Sequence, residues 1–328
     1  MGTSLKDRLP NHRGLVPIDL HVHVGPEFLA RRYDAFEIAE EADRDGLGCV
    51  LKNHFIATTG LAAQARLHRP ATILGSVTLN HSVGGLNPEA IRAAQSANKG
   101  RSMNRSPDDL PFVVWMPTIH AESHLRHNGR RDLTPAWGVE ERYCRYFPPG
   151  TGITLWEPGA EGAEIKAVVF DILDIIKAYN LVLATGHLSG PEVKVLVAAA
   201  HDRGLRRIIV THPFYGAVNL SVREQTELAE RDGVYIEHCY SNLEIDRIPI
   251  EHYVASVREV SPARVVLTSD VGQPRTPPVG EALLDFIRQL SALGVKDDDL
   301  ALMLAENPHR LIARTPPEAN SIQTKKKS

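Results

Sequence analysis

The chain has 328 residues, 43% of them hydrophobic and 23% charged, with a formal net charge of −3 at pH 7. That length guarantees a large core, in one barrel or two average domains, and the near-neutral charge gives no electrostatic footprint for nucleic acid. No run approaches the roughly 18 apolar residues of a membrane span, and residues 1–17 lack the apolar stretch of a secretory leader.

The three cysteines, Cys49, Cys144 and Cys239, are widely spaced and form no CxxC pair. A disulfide framework is therefore not expected, and a reducing, cytoplasmic setting is. The expected partner is a small molecule, with homo-oligomerisation left open. Histidine is the unusual residue, with 15 copies, several of them closing apolar runs.

In chain order, eight short β-branched or apolar runs stand out: Val16–Val22, Gly48–Asn53, Thr72–Leu79, Phe112–Thr118, Leu181–Thr185, Arg207–Thr211, Val234–Glu237 and Val265–Ser269. Helical patterns separate them. Ala35–Asp45 ends at Gly46, and Asn87-Pro88-Glu89 offers an N-cap with proline at the first helical position. Ala163–Tyr179, Gly190–Arg203, Ser221–Arg231, Ile250–Val260 and Gly280–Leu293 complete the alternation, which is that of a parallel sheet with crossover helices.

Alternation alone does not separate an open sheet from a closed barrel. The strand ends do, because in a barrel the side chains at the C-terminal ends of many strands converge on one mouth. Here His21 and His23, His54, His81, His120, His187, His212, His238 and Asp270 follow successive runs, so the predicted fold is an α/β (β/α)8 TIM barrel spanning residues 1–314. Two segments exceed its needs. Asn98–Pro111 is polar and basic, and about 120–161 is a long insertion after the fourth strand, rich in Trp and Tyr and read as a lid over the mouth. Residues 315–328 read as a polar tail.

The strongest local signal is Ile18-Asp19-Leu20-His21-Val22-His23. Residues two apart on a strand share a face, so both imidazoles point into the barrel at chelating distance. A lone HxH is as well explained by two satisfied histidines. His187 after the fifth run and Asp270 after the eighth change that balance, because imidazole and carboxylate ligands with an open position make a catalytic zinc site. His21, His23, His187 and Asp270 are thus the predicted ligands.

The order and spacing of these motifs resemble the amidohydrolase superfamily of metal-dependent hydrolases, as does Asn307-Pro308 followed by Leu311 near the chain end. The resemblance runs from His21 to about Leu311 and implies a hydrolase using a metal-activated water on an amide, cyclic amide or related C–N bond. Decarboxylation, lactone hydrolysis or C–C hydrolysis of a small carboxylate is the alternative, and a non-catalytic metal-binding barrel is a third. The fourth run, Phe112–Thr118, lacks the lysine or glutamate with which binuclear members bridge two ions, so one divalent ion, zinc first, is expected. In this reading Asp270 shuttles the proton and His212 orients water or stabilises the oxyanion. Lys52 is a bridging carbamate, a substrate-carboxylate anchor or a lysine extending to solvent. Lys52, His54, His120 and His238 are the candidate substrate contacts, whereas His81, His124 and His127 read as loop residues.

Overall fold

The computed structural model describes residues 14–99, 110–160, 162 and 164–313. Most of the 98–111 segment and the predicted tail lie outside them. Among the described residues there are nine strands: β1 (Ile18–His23), β2 (Gly48–Lys52), β3 (Ile73–Leu74), β4 (Ser76–Thr78), β5 (Val113–Trp115), β6 (Val182–Ala184), β7 (Ile208–Val210), β8 (Val234–Cys239) and β9 (Val265–Thr268). They pair in parallel as β1-β2-β3 and as β4 through β9 in sequence order.

The expected third run is two strands because Gly75 interrupts it. Gly75 packs on the backbone of Thr58 and Thr59 so closely that a Cβ there would collide with both. Side chains bridge the lapse in the ladder: the Ser76 hydroxyl donates to Leu51 O at 2.7 Å and that of Thr78 to Asn53 O at 2.9 Å. At the other seam Asp270 N donates to His21 O and His23 N to Val271 O, each at 2.9 Å, which returns the sheet onto β1. The eight expected runs therefore form one barrel.

Alternation along the strands sorts side chains into two cores. Val50, Trp115, Ala184, Ile209, Tyr235 and Val266 fill the barrel interior, while Leu51, Val114, Leu183, Ile208, Ile236 and Leu267 meet the helices outside. Lys52, Glu237 and Thr268 continue the inward set and His238 the outward one. The β1 ladder slips between Asp19 and Val22, a bulge of the kind that re-aims side chains beside sites.

The helices are held by local chemistry. Ala35–Asp45 starts at an Asp34/Glu37 capping box and stops at Gly46, and Ser189/Glu192 and Ser221/Glu224 cap Gly190–Asp202 and Val222–Ala229 in the same way. Each box satisfies backbone N–H groups that the first turn leaves without partners. The long insertion is ordered. Glu122–His127 is a helix, so His124 and His127 are not loop residues. Ile119, Leu133 and Val139 cluster with Leu29 of the loop after β1, seating the insertion beside the mouth. Among the described residues no helix is long and apolar enough to cross a membrane.

Candidate metal centre

At the C-terminal ends of the strands a narrow cavity of about 60 Å³ opens, lined by His23, Arg31, Lys52, His54, His187, His212 and Asp270 among others. Beneath it lies His21, fully buried. The Nε2 atoms of His21 and His23 each stand 3.0 Å from Asp270 Oδ1, and the three ligand atoms lie within 4.8 Å of one another. Asp270 and His212 both hold positive φ, 51° and 20°, a strained backbone that non-glycine residues keep mainly where surrounding structure imposes it.

Second partners decide which nitrogen of each ring is free. Glu237 Oε1 lies 3.1 Å from His21 Nδ1 and also accepts from the Thr268 hydroxyl. An ionised carboxylate only accepts, so Nδ1 carries a proton, and Nε2, 3.0 Å from Asp270 Oδ1, has a lone pair to offer a cation when the ring is neutral. Lys52 Nζ lies 2.8 Å from the same Nε2. Burial lowers the Lys52 pKa, against the raising influence of Asp270 and Glu237. Its Nζ also sits 4.0 Å from the Trp115 ring centre.

His187 is arranged by the insertion. His124 Nε2 donates to Asp132 O at 3.2 Å, leaving His124 Nδ1 with one lone pair, which accepts from His187 Nδ1 at 2.9 Å, the Tyr215 hydroxyl lying 3.1 Å from the same nitrogen. His187 Nε2 is then the unprotonated nitrogen. Gly186 makes the turn into this position at φ 61°, where any Cβ would strike the Met116 and Pro117 carbonyls. Burial first, and the neighbouring His124 and His212 rings next, hold His187 well below its ordinary pKa. His212 is pushed down to about 4, chiefly by burial.

Burial opposes ionisation of Asp270, but the His21 and His23 rings beside it hold its carboxyl well below the usual carboxylate range. Its Oδ2 accepts from the Ser241 hydroxyl at 2.7 Å. The donor set of His21 Nε2, His23 Nε2 and Asp270 Oδ1 fits a divalent cation on two conditions, the first being that His21 Nε2 is freed from Lys52 Nζ. His23 Nδ1 now faces Arg31 Nη2 at 3.0 Å, so ligation through Nε2 requires its proton to move to Nδ1. A second trio, His21, Glu237 and Cys239, is equally close. Burial raises the Cys239 thiol well above its ordinary pKa, so without an ion its sulfur rests as a thiol, and the His21 Nδ1 of this trio is already paired with Glu237.

The structure thus brings His21, His23 and Asp270 together and places His187, His212, Lys52 and His54 on the same cavity. Two predicted substrate contacts lie elsewhere. His238 faces the helices, with Nε2 2.9 Å from the Ser256 hydroxyl and its ring stacked between Phe214 and Tyr253; the period-2 rule that points Glu237 inward points it outward. His120 packs against His81 and Phe147, with Nε2 3.5 Å from Asp132 Oδ2. Arg31, Glu237, His124 and Tyr215 were missed as site residues. Only Glu237 carried a usable signal, its parity with Tyr235.

Residues 17–237 match the sequence model of a family of unknown function, DUF6282; the match contains His21, His23, Lys52, His187 and His212 and stops short of Asp270. No curated protein matches the sequence. Among solved structures, an amidohydrolase from Pseudomonas aeruginosa shares 10% identity over 94% of this chain and 98% of its own, with a TM-score of 0.54. The N-acetyl-D-glucosamine-6-phosphate deacetylase from Mycobacterium smegmatis shares 14% over 91% and 76%, with a TM-score of 0.53. Amidohydrolase 2 from Bifidobacterium longum subsp. infantis shares 16% over 90% and 98%, with a TM-score of 0.50. These likenesses establish the fold as that of the amidohydrolase barrels.

Proposed function

Since the chain belongs to the DUF6282 family and has the fold of the amidohydrolase barrels, we propose that it is a metal-dependent hydrolase of small molecules. In this reading it cleaves an amide, cyclic amide or related C–N bond with one divalent ion, zinc first among the candidates. The observation that carries the reading is the convergence of His21 Nε2, His23 Nε2 and Asp270 Oδ1 beside an open cavity. When bound there, a divalent ion supplies a Lewis acid that polarises a carbonyl and makes water nucleophilic near neutral pH.

The protein groups divide the remaining work. Asp270, ionised at rest and fixed by Ser241, takes a proton from the attacking water and gives it to the leaving nitrogen. His212 is neutral at pH 7, with a buried Nδ1 that has no partner, and it orients that water or stabilises the oxyanion. His187, its tautomer set by His124, presents Nε2 to the same space as a fourth ligand. A single ion is favoured because the inward residue of β5 is Trp115 rather than a bridging lysine or glutamate, and Lys52 adds a positive charge beside His21. The unpartnered Nη1 of Arg31 on the cavity favours a second reading as lactonase, decarboxylase or C–C hydrolase of a small carboxylate. With Cys49 and Cys239 buried as free thiols, a reducing, cytoplasmic location is part of the proposal.

Metal analysis of the purified chain with a screen of amides, lactones and carboxylates tests it. We expect about one ion per chain and turnover that chelation abolishes; full turnover in metal-free protein would end the reading. Asp270→Asn is expected to lower kcat far more than it changes KM, whereas a purely raised KM would remove the proton-transfer role. Lys52→Ala is expected to leave the stoichiometry unchanged. Two ions falling to one on that substitution would make Lys52 a bridge and His212 a ligand.

A further inference from the structure

Arg31 stands in the loop after β1 with its side chain only 2% exposed, against a Glu27 side chain that is fully buried. Its guanidinium has three nitrogens with three different situations. Nε donates to Glu27, whose other oxygen accepts from His54 N at 3.0 Å, so the stem is anchored from behind. Nη2 lies 3.0 Å from His23 Nδ1. Nη1 is buried and has no partner, although Arg31 lines the cavity. A buried charged donor left unpaired is costly, which marks a partner still to come.

The His23 contact sharpens this. A guanidinium can only donate, so His23 Nδ1 accepts from Nη2 and the ring proton sits on Nε2, facing Asp270 Oδ1. If Nε2 instead ligates a cation, the proton resides on Nδ1, which then has nothing to offer Arg31. Loading the metal centre therefore leaves both outer nitrogens without a protein acceptor while Glu27 still holds Nε. Two parallel donors on a planar fork match the two oxygens of a carboxylate. Lys52, the other cation on the cavity, lacks that geometry and lies over Trp115 beside His21.

We propose that Arg31 is the anchor for a carboxylate carried by the substrate, and that metal binding at His23 readies it by releasing Nη2. The substrate class is then a small acid whose free carboxylate is held by the Nη1/Nη2 edge while a second group reacts. This deepens the metal-dependent hydrolase reading and rests on it for the release step.

The test is equilibrium binding of succinate and of its neutral counterpart succinamide, by calorimetry, to the full chain with and without zinc. It uses wild type, Arg31→Lys and Arg31→Gln, with zinc affinity read separately by chelator competition. Loaded wild type is expected to bind succinate at least about tenfold more tightly than succinamide, and about tenfold more tightly than the metal-free chain does. Arg31→Gln is expected to lose that preference while keeping or raising zinc affinity, since a competing donor to His23 Nδ1 is gone. Arg31→Lys, which keeps the charge without the fork, is expected to recover only part of it. Succinate binding undiminished in Arg31→Gln would place the carboxylate on the ion or elsewhere and overturn the proposal, as would equal binding of succinamide. Equal succinate affinity with and without zinc would overturn the release step. A chain that binds no zinc would defeat the hydrolase reading by the chelator arm, while the Arg31 dependence of succinate binding would still decide the anchor.

Discussion

On β8, Glu237 and His238 are adjacent, both fully buried and both equipped for a metal site, yet they belong to different regions of the molecule. Glu237 faces the barrel interior, where it fixes the tautomer of His21 and lies 3.4 Å from His212 N. His238 faces the barrel–helix layer, where Ser256 and through it Gln225 complete a buried polar link among aromatic rings. In the first region, burial tunes groups that must exchange protons or hold an ion. In the second it holds a ring whose Nε2 is paired with Ser256 while its buried Nδ1 has no partner, and no group there lines the cavity. Residue type does not distinguish them; facing does.

The largest effect expected from this contrast is at the ligands themselves. His21→Ala or His23→Ala should abolish both bound metal and turnover while leaving the far-ultraviolet circular dichroism and the cooperative melt nearly intact, because the packed core lies below the mouth. Full metal occupancy in the double variant would refute the site. Next comes Glu237→Gln, which touches no substrate. Loss of the carboxylate behind His21 should weaken metal binding by about 10–100-fold, measured by chelator competition. An unchanged affinity would mean that Glu237 is only a core residue that happens to face inward.

The outward neighbour should behave in the opposite way. His238→Leu removes the Ser256 bond and fills the space with an apolar side chain, at a cost of about 1–3 kcal/mol in urea unfolding. Metal affinity and KM are expected to stay at wild-type values. Any loss of metal from this variant would break the separation between the two layers.

The same contrast explains what could be read from the sequence. A period of two sets His21 and His23 on one face and a strand end marks Asp270, because strand parity and strand ends are local properties. That this face turns inward depends on the slip in β1, since Ile18 and Leu20 also fill the interior. Lys52, open in the sequence among a bridge, an anchor and a solvent-reaching lysine, is buried on the cavity. The barrel was legible from the same local properties, apart from the break at Gly75. Parity puts Glu237 and His238 on opposite faces, so at most one lines the cavity, but it does not say which. His238 is the candidate the sequence offers, and the structure turns Glu237 inward and His238 onto Ser256. Arg31 and His124 were beyond reach. Arg31 sits in a loop with no periodicity, and its role depends on Glu27 and His23. His124 meets His187 across 63 positions of sequence, a contact created by how the insertion folds back on the mouth. Such long-range pairing leaves no mark in composition or spacing.

The smallest expected effect lies in the outer shell. Glu224 closes the cap of Val222–Ala229 by accepting from the Ser221 amide and hydroxyl at 2.8 Å each, and it pairs with Lys194. The Lys194 ammonium first, and the Ser221 donors next, pull its carboxyl down from 4.5 to about 2. A depressed acid contributes stability that is fully present above the unfolded value of 4.5 and is lost as pH falls towards 2. The group is largely solvated, so screening cuts the contribution at neutral pH to about 1 kcal/mol or less. Glu224→Gln should therefore lower the stability of the chain by that amount in urea unfolding at pH 7. The gap to wild type should shrink as pH falls below 4.5 and nearly close by about pH 2. Metal content and turnover at pH 7 should not move at all. A gap that persists unchanged to low pH would show that the cap works through shape and neutral hydrogen bonds rather than through the charge on Glu224.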